Sequence, residues 1–256
     1  LRDLATEINM SKSVIFARMA VSHDASLINL SKRFGASVSE MPELLLGIRA
    51  LGAEPALAFN VGSNVMSPEA YQYGLEVVRD LLDKNQFNIR LVDIGGGFPL
   101  SFPGFDVPPI SKFFNLIDEV KTGIQLNPEG EFMCEPGKTL AGPCMKAIIE
   151  VRLIKDSRIY LNDGMYGIFW ELRFKGHDRY PARVLRGSNE LEGSKKLFKL
   201  YGPTCDESDE LPGLINLPED IQVGDYIEFS NIGAYSLSGR TNFNGFKSNQ
   251  IIIINN

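Results

Sequence analysis

Apolar and polar positions follow one another in two different patterns along the chain, and the pattern changes near residue 143. In the first part, apolar residues at helical spacing predict three helices, over Pro42–Leu51, Ser67–Lys84 and Lys112–Gly123. The first begins with proline and is followed by Gly52, and the second has Ser67 as its predicted N-cap ahead of Pro68. These boundary residues support the helix assignments.

Short apolar runs between the helices predict four strands, Val14–Ala20, Ala56–Val61, Ile89–Ile94 and Glu131–Glu135. Strands that alternate with helices predict βα units and a parallel sheet. In such folds the loops after the strands carry the chemistry. Three unusual segments lie there: Asn60–Ser63, Gly95–Phe98 and Glu135–Lys138.

The second part contains short β-type runs separated by glycine, asparagine, aspartate and proline, which predict an all-β domain. The predicted strands are Ala147–Lys155, Arg158–Leu161, Ala182–Leu185, Lys195–Tyr201, Asp225–Phe229 and Gln250–Ile254. We therefore expect a partial α/β domain over residues 1–143 and a β domain over residues 144–256. Four βα units are too few to close an eight-stranded barrel and leave open edges. Because the chain also begins at Leu1 rather than Met, we expect a missing upstream half.

Composition narrows the class of protein. Of the 256 residues, 44% are hydrophobic and 23% are charged, as in a globular domain. The net charge of −6 disfavours nucleic-acid binding, and no apolar run approaches the roughly 20 residues of a membrane helix. Three cysteines and two histidines are too few for a disulfide framework or a metal site, so we expect a cytoplasmic protein and no metal.

Three motifs carry candidate chemistry, and each has a simpler alternative. Gly95–Gly97 after a strand brings backbone N–H groups close to an anion, or forms only a tight turn. Glu135 and Lys138 pair with a protonated ring nitrogen and a phosphate, or belong to an ordinary Pro-Gly turn. Cys205 and Asp206 place a thiol beside a carboxylate, or the cysteine is simply buried in a turn.

The order of the motifs is far more specific than any one of them. It reads Val-Gly-Ser, Gly-Gly-Gly-Phe-Pro, Glu-Pro-Gly, Asn-Asp-Gly-x-Tyr-Gly, Gly-Pro-Thr-Cys-Asp, Gly-Ala-Tyr and Phe-Asn-Gly-Phe. This series resembles the pyridoxal-phosphate-dependent decarboxylases of the alanine-racemase-like fold. Cys205–Asp209 and Phe243–Phe246 resemble the ornithine decarboxylase branch. The resemblance implies the C-terminal half of a (β/α)8 barrel followed by a β-barrel or sandwich domain.

The resemblance also implies a cofactor, pyridoxal 5′-phosphate, at the mouth of the barrel. Glu135 matches the carboxylate that faces the pyridine nitrogen, which keeps that nitrogen protonated and makes the ring an electron sink. The glycine segment matches the phosphate site, helped by Ser63 and Tyr235. The full set of implied cofactor-binding residues is Arg18, Asn60, Ser63, Gly95, Gly96, Gly97, Glu135, Gly137, Lys138 and Tyr235.

The remaining implied roles concern catalysis, substrate and dimer. Cys205 matches a thiol that reaches the partner subunit's site and protonates the substrate carbon, so Cys205, Asp206 and Glu135 are the implied catalytic residues. Asp206 matches the carboxylate that binds the distal amine of a diamino acid, and Phe243 matches a substrate contact. A homodimer with shared sites follows. Arg33 and Asp209 match an intersubunit salt bridge, or are two solvated surface charges.

Several positions depart from the family pattern. The lysine that carries the cofactor falls before Leu1, and neither Lys12 nor Lys32 lies in a matching context. Asn60 replaces a histidine and Lys138 an arginine, which keeps the charge without the bidentate fork. The acidic substrate-binding position falls at Lys175, whereas Glu171 and Asp178 are out of register.

Two functions remain open at this point. The first is decarboxylation of a basic or diamino acid, of the ornithine or lysine type, for polyamine synthesis. This chain alone is expected to be inactive, so that a separate N-terminal chain is one possible partner. The second is a non-catalytic homologue or partner subunit that binds a decarboxylase or its regulator. A racemase is disfavoured, because racemases use a less electron-withdrawing partner than Glu135 at the ring nitrogen.

Overall fold

The computed structural model describes residues 3, 6–21, 23–28, 30–103, 106–173, 180–246 and 250–254. The chain divides into two compact units, the first formed by Leu1–Pro99 with Val107–Gly137 and the second by Leu100–Asp106 with Lys138–Asn256. The division falls shortly before the boundary expected at residue 143, and the second unit also takes in the short segment at residues 100–106.

Within its described residues, the first unit contains six strands and three α-helices. The strands are β1 (Val14–Met19), β2 (Ser26–Ile28), β3 (Glu54–Phe59), β4 (Ser63–Val65), β5 (Leu91–Asp93) and β6 (Glu131–Met133). The helices are α1 (Met41–Ala50), α2 (Glu69–Asn85) and α3 (Ile110–Lys121). Strands β1, β3, β5 and β6 form a parallel sheet in that order, which confirms the predicted βα series. The antiparallel pair β2–β4 was not predicted.

Helix α2 shows how the sequence produces the packing of the first unit. Tyr71, Leu75, Val78 and Leu82 recur at helical spacing and are all buried. Gly74 on the same helix leaves room for the ring of Phe59, because a Cβ there would collide with it. The predicted Ser67 cap is wrong: Pro68 is the N-cap, and the Ser67 hydroxyl donates instead to the Glu69 carboxylate.

The described part of the second unit contains one mixed sheet; a short helix, α4 (Gly137–Ala141), begins at the last residue of the first unit, and a second, α5 (Ser236–Gly239), follows the last strand. The strands of the sheet are β7 (Ala147–Lys155), β8 (Arg158–Leu161), β9 (Ala182–Arg186), β10 (Asn189–Glu190), β11 (Lys195–Tyr201), β12 (Ile215–Pro218) and β13 (Tyr226–Phe229). Their order is β10-β9-β13-β7-β8-β11-β12, and all pairs are antiparallel except β8–β11. The sheet confirms the predicted β domain.

The strand predicted over Gln250–Ile254 is wrong. The segment is irregular, and Ile251–Ile254 are 60–82% exposed. Four isoleucines favour an extended backbone, but a strand also needs a neighbour to pair with, and none of the described strands pairs with this segment. Strand β12 was missed because its run is short and ends in proline.

Candidate active site

The carboxyl ends of the parallel strands bring most of the predicted residues of the first unit to one level. Arg18 on β1 lies in register with Ala58 on β3, and Ala58 with Asp93 on β5. Asp93 in turn lies in register with Met133 on β6. Because neighbouring parallel strands advance together, Asn60, Gly95 and Glu135 leave the sheet side by side, each two residues further on.

The glycine segment Gly95–Gly97 fits into this edge so closely that no side chain has room there. A Cβ on Gly95 would collide with the carbonyl oxygen of Phe59, and one on Gly96 with that of Glu135. Gly95 and Gly97 also have φ angles of +72° and +92°, which other residues rarely adopt. The segment therefore needs glycine, and it presents bare backbone to a ligand.

Hydrogen bonds anchor both ends of the Gly95–Gly97 segment. The Gly95 N–H donates to the Asp93 carboxylate at 2.8 Å, and the Val65 N–H donates to the Gly97 carbonyl at 2.8 Å. In the described part of the chain, the N–H groups of Gly96 and Gly97 have no acceptor. Successive N–H groups around left-handed residues form a concave site for an anion such as phosphate.

Arg18 supplies a second sign that this edge binds a ligand. Its Nε and Nη2 atoms are buried and have no hydrogen-bond partner among the described residues. Its guanidinium lies 5.3 Å from the ring centroid of Phe34, which satisfies none of the N–H groups. Because buried unpaired donors are costly, an arginine in this state fits an anionic or polar ligand group. Together with the glycine segment, it fits pyridoxal phosphate.

The other predicted residues of the first unit have simpler surroundings. The Asn60 side-chain oxygen accepts the Gly62 N–H at 2.9 Å and so closes its own turn. Ser63 begins β4 and is half-buried. The Glu135 side chain is exposed, and its backbone carbonyl accepts the Gly137 N–H at 2.8 Å. Of these residues, Glu135 offers the free carboxylate that a ring nitrogen requires.

In the second unit, Cys205 and Asp206 lie on a loop after β11. They line a cleft of about 690 Å³ together with residues that include Tyr160, Tyr201 and Phe246. Cys205 is exposed, with its Sγ 3.5 Å from the Asn244 side-chain oxygen. The Asp206 carboxylate accepts hydrogen bonds from both the hydroxyl and the N–H of Ser208, which lower its pKa. The loop therefore holds Asp206 in its ionised form.

Two buried carboxylates that sequence reasoning did not assign to the site organise this loop and the turn at residues 163–168 that is bonded to it. Asp209 is 2% exposed, and its carboxylate accepts the N–H groups of Met165 and Thr204 at 2.7 and 3.0 Å. Asp163 accepts the N–H groups of Gly164 and Ile168 at 2.8 and 3.0 Å, and its burial raises its pKa. Asp209 is therefore not the solvated surface charge that was one of the two alternatives.

Glycines next to these carboxylates were the signal in the sequence. A Cβ on Gly164 or Gly202 would collide with Asp209, and one on Gly167 would collide with Asp163. These glycines belong to the Asn-Asp-Gly-x-Tyr-Gly and Gly-Pro-Thr motifs. The motifs therefore exist partly to accommodate buried carboxylates.

Tyr166 joins the Cys205 loop to the segment that carries Phe243. Its ring lies 4.5 Å from the Phe243 ring, and its hydroxyl lies 3.2 Å from the Ser208 hydroxyl. Thr241 holds the Tyr166 carbonyl with its N–H and its hydroxyl, at 2.8 and 2.9 Å. The structure thus brings Asp206 and Phe243 into one cluster of loops.

Lys138 is paired within the second unit. Its Nζ lies 2.5 Å from the Glu171 carboxylate, and both side chains are buried. Burial lowers the pKa of Lys138, whereas Glu171 raises it. The Tyr180 hydroxyl donates to the other Glu171 oxygen at 3.0 Å. Lys138 is therefore not the surface lysine of an ordinary Pro-Gly turn.

Tyr235 lies close to this pair. Its ring centroid is 5.9 Å from the Lys138 Nζ, its side chain is 58% exposed and its φ is +61°. A positive φ is uncommon for an aromatic residue and is often found at functional sites. Lys175 and Asp178, which sequence reasoning compared with Glu171, lie outside the described residues.

No group of three or more potential metal ligands occurs within the described ranges. The helices of this part of the chain are also too short or too polar to cross a membrane.

A parallel βα series with a glycine segment at its strand ends, continued by a β domain with a Cys-Asp loop, fits the class of pyridoxal-phosphate proteins expected from the sequence. Residues 61–233 match the family model for the pyridoxal-dependent decarboxylases, C-terminal sheet domain. The chain therefore belongs to the pyridoxal-dependent decarboxylase family. This membership confirms the resemblance and the fold class expected from the sequence.

Individual relatives agree with this assignment. The chain is 30% identical to an ornithine decarboxylase of Schizosaccharomyces pombe, over 94% of this chain and 58% of the relative. It is 27% identical to antizyme inhibitor 2 of Xenopus laevis, over 91% and 55%. The structure of a lysine/ornithine decarboxylase from Vibrio vulnificus, complexed with putrescine, is similar with a TM-score of 0.82 and 26% identity, over 99% and 66%. The chain thus spans little more than half of the curated relatives.

Proposed function

We propose that the protein containing this chain decarboxylates a basic or diamino acid, of the ornithine or lysine type, with pyridoxal phosphate as cofactor. The observation that carries the proposal is the glycine segment, in which the N–H groups of Gly96 and Gly97 have no acceptor among the described residues and neighbouring backbone leaves no room for a Cβ. Family membership supports the same cofactor.

Each residue of the first unit has a physical role in this proposal. The N–H groups of Gly96 and Gly97 bind the phosphate, and the unpaired N–H groups of Arg18 bind a polar group of the cofactor. The Glu135 carboxylate holds a proton on the pyridine nitrogen. The chemistry supplied by pyridoxal phosphate, when bound, is a sink for the electron pair left as carbon dioxide departs.

The residues of the second unit act on the substrate. Asp206 stays ionised because Ser208 donates two hydrogen bonds to it, and an ionised carboxylate attracts the distal ammonium of a diamino acid. The Cys205 thiol donates a proton to the substrate carbon that has lost carbon dioxide, and Phe243 packs beside the substrate. We propose that these residues serve a partner subunit's site in a homodimer.

The product in this proposal is a diamine for polyamine synthesis. The putrescine complex of the Vibrio vulnificus relative supports a diamine of that size. We also propose that the protein works in the cytoplasm, and the free thiols of all three cysteines support a reducing compartment.

The alternative is a non-catalytic homologue that binds a decarboxylase or its regulator. Similarity to antizyme inhibitor 2 supports it. So does the pairing of Lys138 with Glu171, which occupies the one lysine of the Glu-Pro-Gly-Lys motif.

The test measures carbon dioxide released from ornithine, lysine and arginine by the longest native polypeptide that carries this sequence. We expect release from a diamino acid, and we expect Asp206→Asn to raise KM by about tenfold or more through loss of the ammonium partner. Glu192→Gln, which neutralises an exposed carboxylate elsewhere in the second unit, is the control and should leave KM unchanged. No release from any of the three would contradict the enzyme and favour the binding homologue.

A further inference from the structure

A buried tyrosine reaches the glycine segment from helix α2. Tyr71 is fully buried, with its ring stacked on Phe98 at 4.7 Å and set edge-on to Phe113 at 6.0 Å. Its hydroxyl donates to the Gly96 carbonyl at 2.9 Å. Burial raises the pKa of this hydroxyl, so it keeps its proton and remains a donor.

This hydrogen bond completes the anchoring of the glycine segment. The Gly95 carbonyl accepts the Glu135 N–H at 2.9 Å, and the Gly97 carbonyl accepts the Val65 N–H at 2.8 Å. The Gly96 carbonyl between them is instead held by a side chain, that of Tyr71. All three carbonyls of the segment are thus fixed to neighbouring elements.

Anchored carbonyls determine where the N–H groups point. In a trans peptide the C=O of one residue and the N–H of the next point in opposite directions. The chain has no cis peptide bond among its described residues, so the Tyr71 hydrogen bond sets the direction of the Gly97 N–H. Glycine otherwise samples a wide range of backbone conformations, so an unanchored peptide here would not stay oriented.

We propose that Tyr71 is a positioning residue, which orients the Gly97 N–H toward the phosphate of the cofactor without touching the cofactor itself. This inference rests on the proposed function, because it assumes that the glycine segment binds the phosphate. It assigns a role in ligand binding to a residue that otherwise resembles an ordinary core aromatic.

The test compares pyridoxal phosphate with pyridoxal, which lacks the phosphate, as ligands of the same native polypeptide. Tyr71→Phe removes the hydroxyl and keeps the stacked ring. We expect the ratio of the two affinities to fall about three- to tenfold, as for loss of one hydrogen bond. The phosphorus-31 resonance of the bound phosphate should shift or broaden, because the phosphate loses a fixed donor.

Val78→Ala is the matched control, because Val78 is buried on the same helix two turns further on. It weakens the packing of α2 but leaves the Gly96 carbonyl with its donor. We expect a loss of stability without any change in the affinity ratio. A control that lowered the ratio as much as Tyr71→Phe would overturn the inference, since general loosening of the helix would then explain both results.

The outcomes separate the two proposals. If the wild-type protein binds pyridoxal as tightly as pyridoxal phosphate, the phosphate site itself fails, and the Tyr71 inference fails with it. If the wild type prefers pyridoxal phosphate and Tyr71→Phe keeps the full preference, only the Tyr71 inference fails. If Tyr71→Phe does not fold, fluorotyrosine at position 71 provides a stronger donor of nearly the same size. An unchanged phosphorus resonance in that protein overturns the inference.

Discussion

The two regions that carry the candidate residues are built from different parts of the polypeptide. At the strand ends of the first unit, glycines and their backbone N–H groups form the centre of the candidate site, and the side chains of Tyr71 and Asp93 anchor them. In the second unit, the candidate residues contribute side chains, and buried carboxylates hold their loops by accepting hydrogen bonds from backbone N–H groups. The structure of the first region therefore depends on the absence of side chains at its glycines, whereas that of the second depends on charged side chains.

The largest effect should come from breaking a buried charge pair of the second unit. Glu171→Gln leaves the Lys138 ammonium buried beside a neutral amide, and we expect a loss of about 3–5 kcal/mol in the free energy of unfolding. Denaturant unfolding measures it. The double variant Lys138→Met with Glu171→Leu removes both charges and should recover most of the loss. Equal stability of the wild type and Glu171→Gln would show that the pair contributes little.

A smaller effect should follow from adding one carbon to the first region. Gly96→Ala forces a Cβ against the Glu135 carbonyl, where both partners are backbone, and we expect a loss of about 1–3 kcal/mol together with weaker binding of pyridoxal phosphate. Gly47→Ala on α1 is the control, because its Cβ meets nothing within 4 Å. It should stabilise the protein by up to about 1 kcal/mol. Loss of stability in both variants would mean that glycine matters here for another reason.

The smallest expected effect is on the pH dependence of the free energy of unfolding, which should differ in sign between the buried carboxylates Asp163 and Asp225. Burial raises the pKa of Asp163 above its ordinary value of 3.8. Its contribution to stability is therefore complete below the unfolded pKa and is lost as pH rises through the raised folded pKa. Asp163→Asn keeps Oδ1, which accepts both hydrogen bonds, and removes only the titration. We expect its stability relative to wild type to improve as pH rises from 4 toward neutral (about 7).

Asp225 provides the opposite case in the same unit. Two hydrogen bonds from Arg186 lower the pKa of Asp225, so its contribution is present above 3.8 and is lost as pH falls. Asp225→Asn should therefore become less stable than wild type as pH rises. Unfolding free energies measured across this pH range test both variants together. Parallel pH profiles for the two variants would contradict the assigned directions.

The contrast between a glycine segment in the first unit and buried side chains in the second also explains which features the sequence could predict. Gly95–Gly97 by itself left an anion site and a tight turn open, and the order of the motifs favoured the anion site. Asp163 and Asp209 look like turn or surface residues in a sequence, because burial depends on which loops fold over them. The Lys138–Glu171 pair joins positions far apart in the chain, and no local pattern links them. The irregular Ile251–Ile254 segment shows the same limit, since strand propensity does not supply a pairing partner.

The anchored glycine segment also has a consequence for how such a protein diverges. Its binding groups belong to the main chain, so no exchange of one amino acid for another can make them read a different chemical group. A substitution can abolish ligand binding by these N–H groups, but it cannot change which chemical group they bind. Under the proposed function, new ligand preferences arise instead at side chains, such as those on the loops around Asp206, because a single codon change replaces each of them.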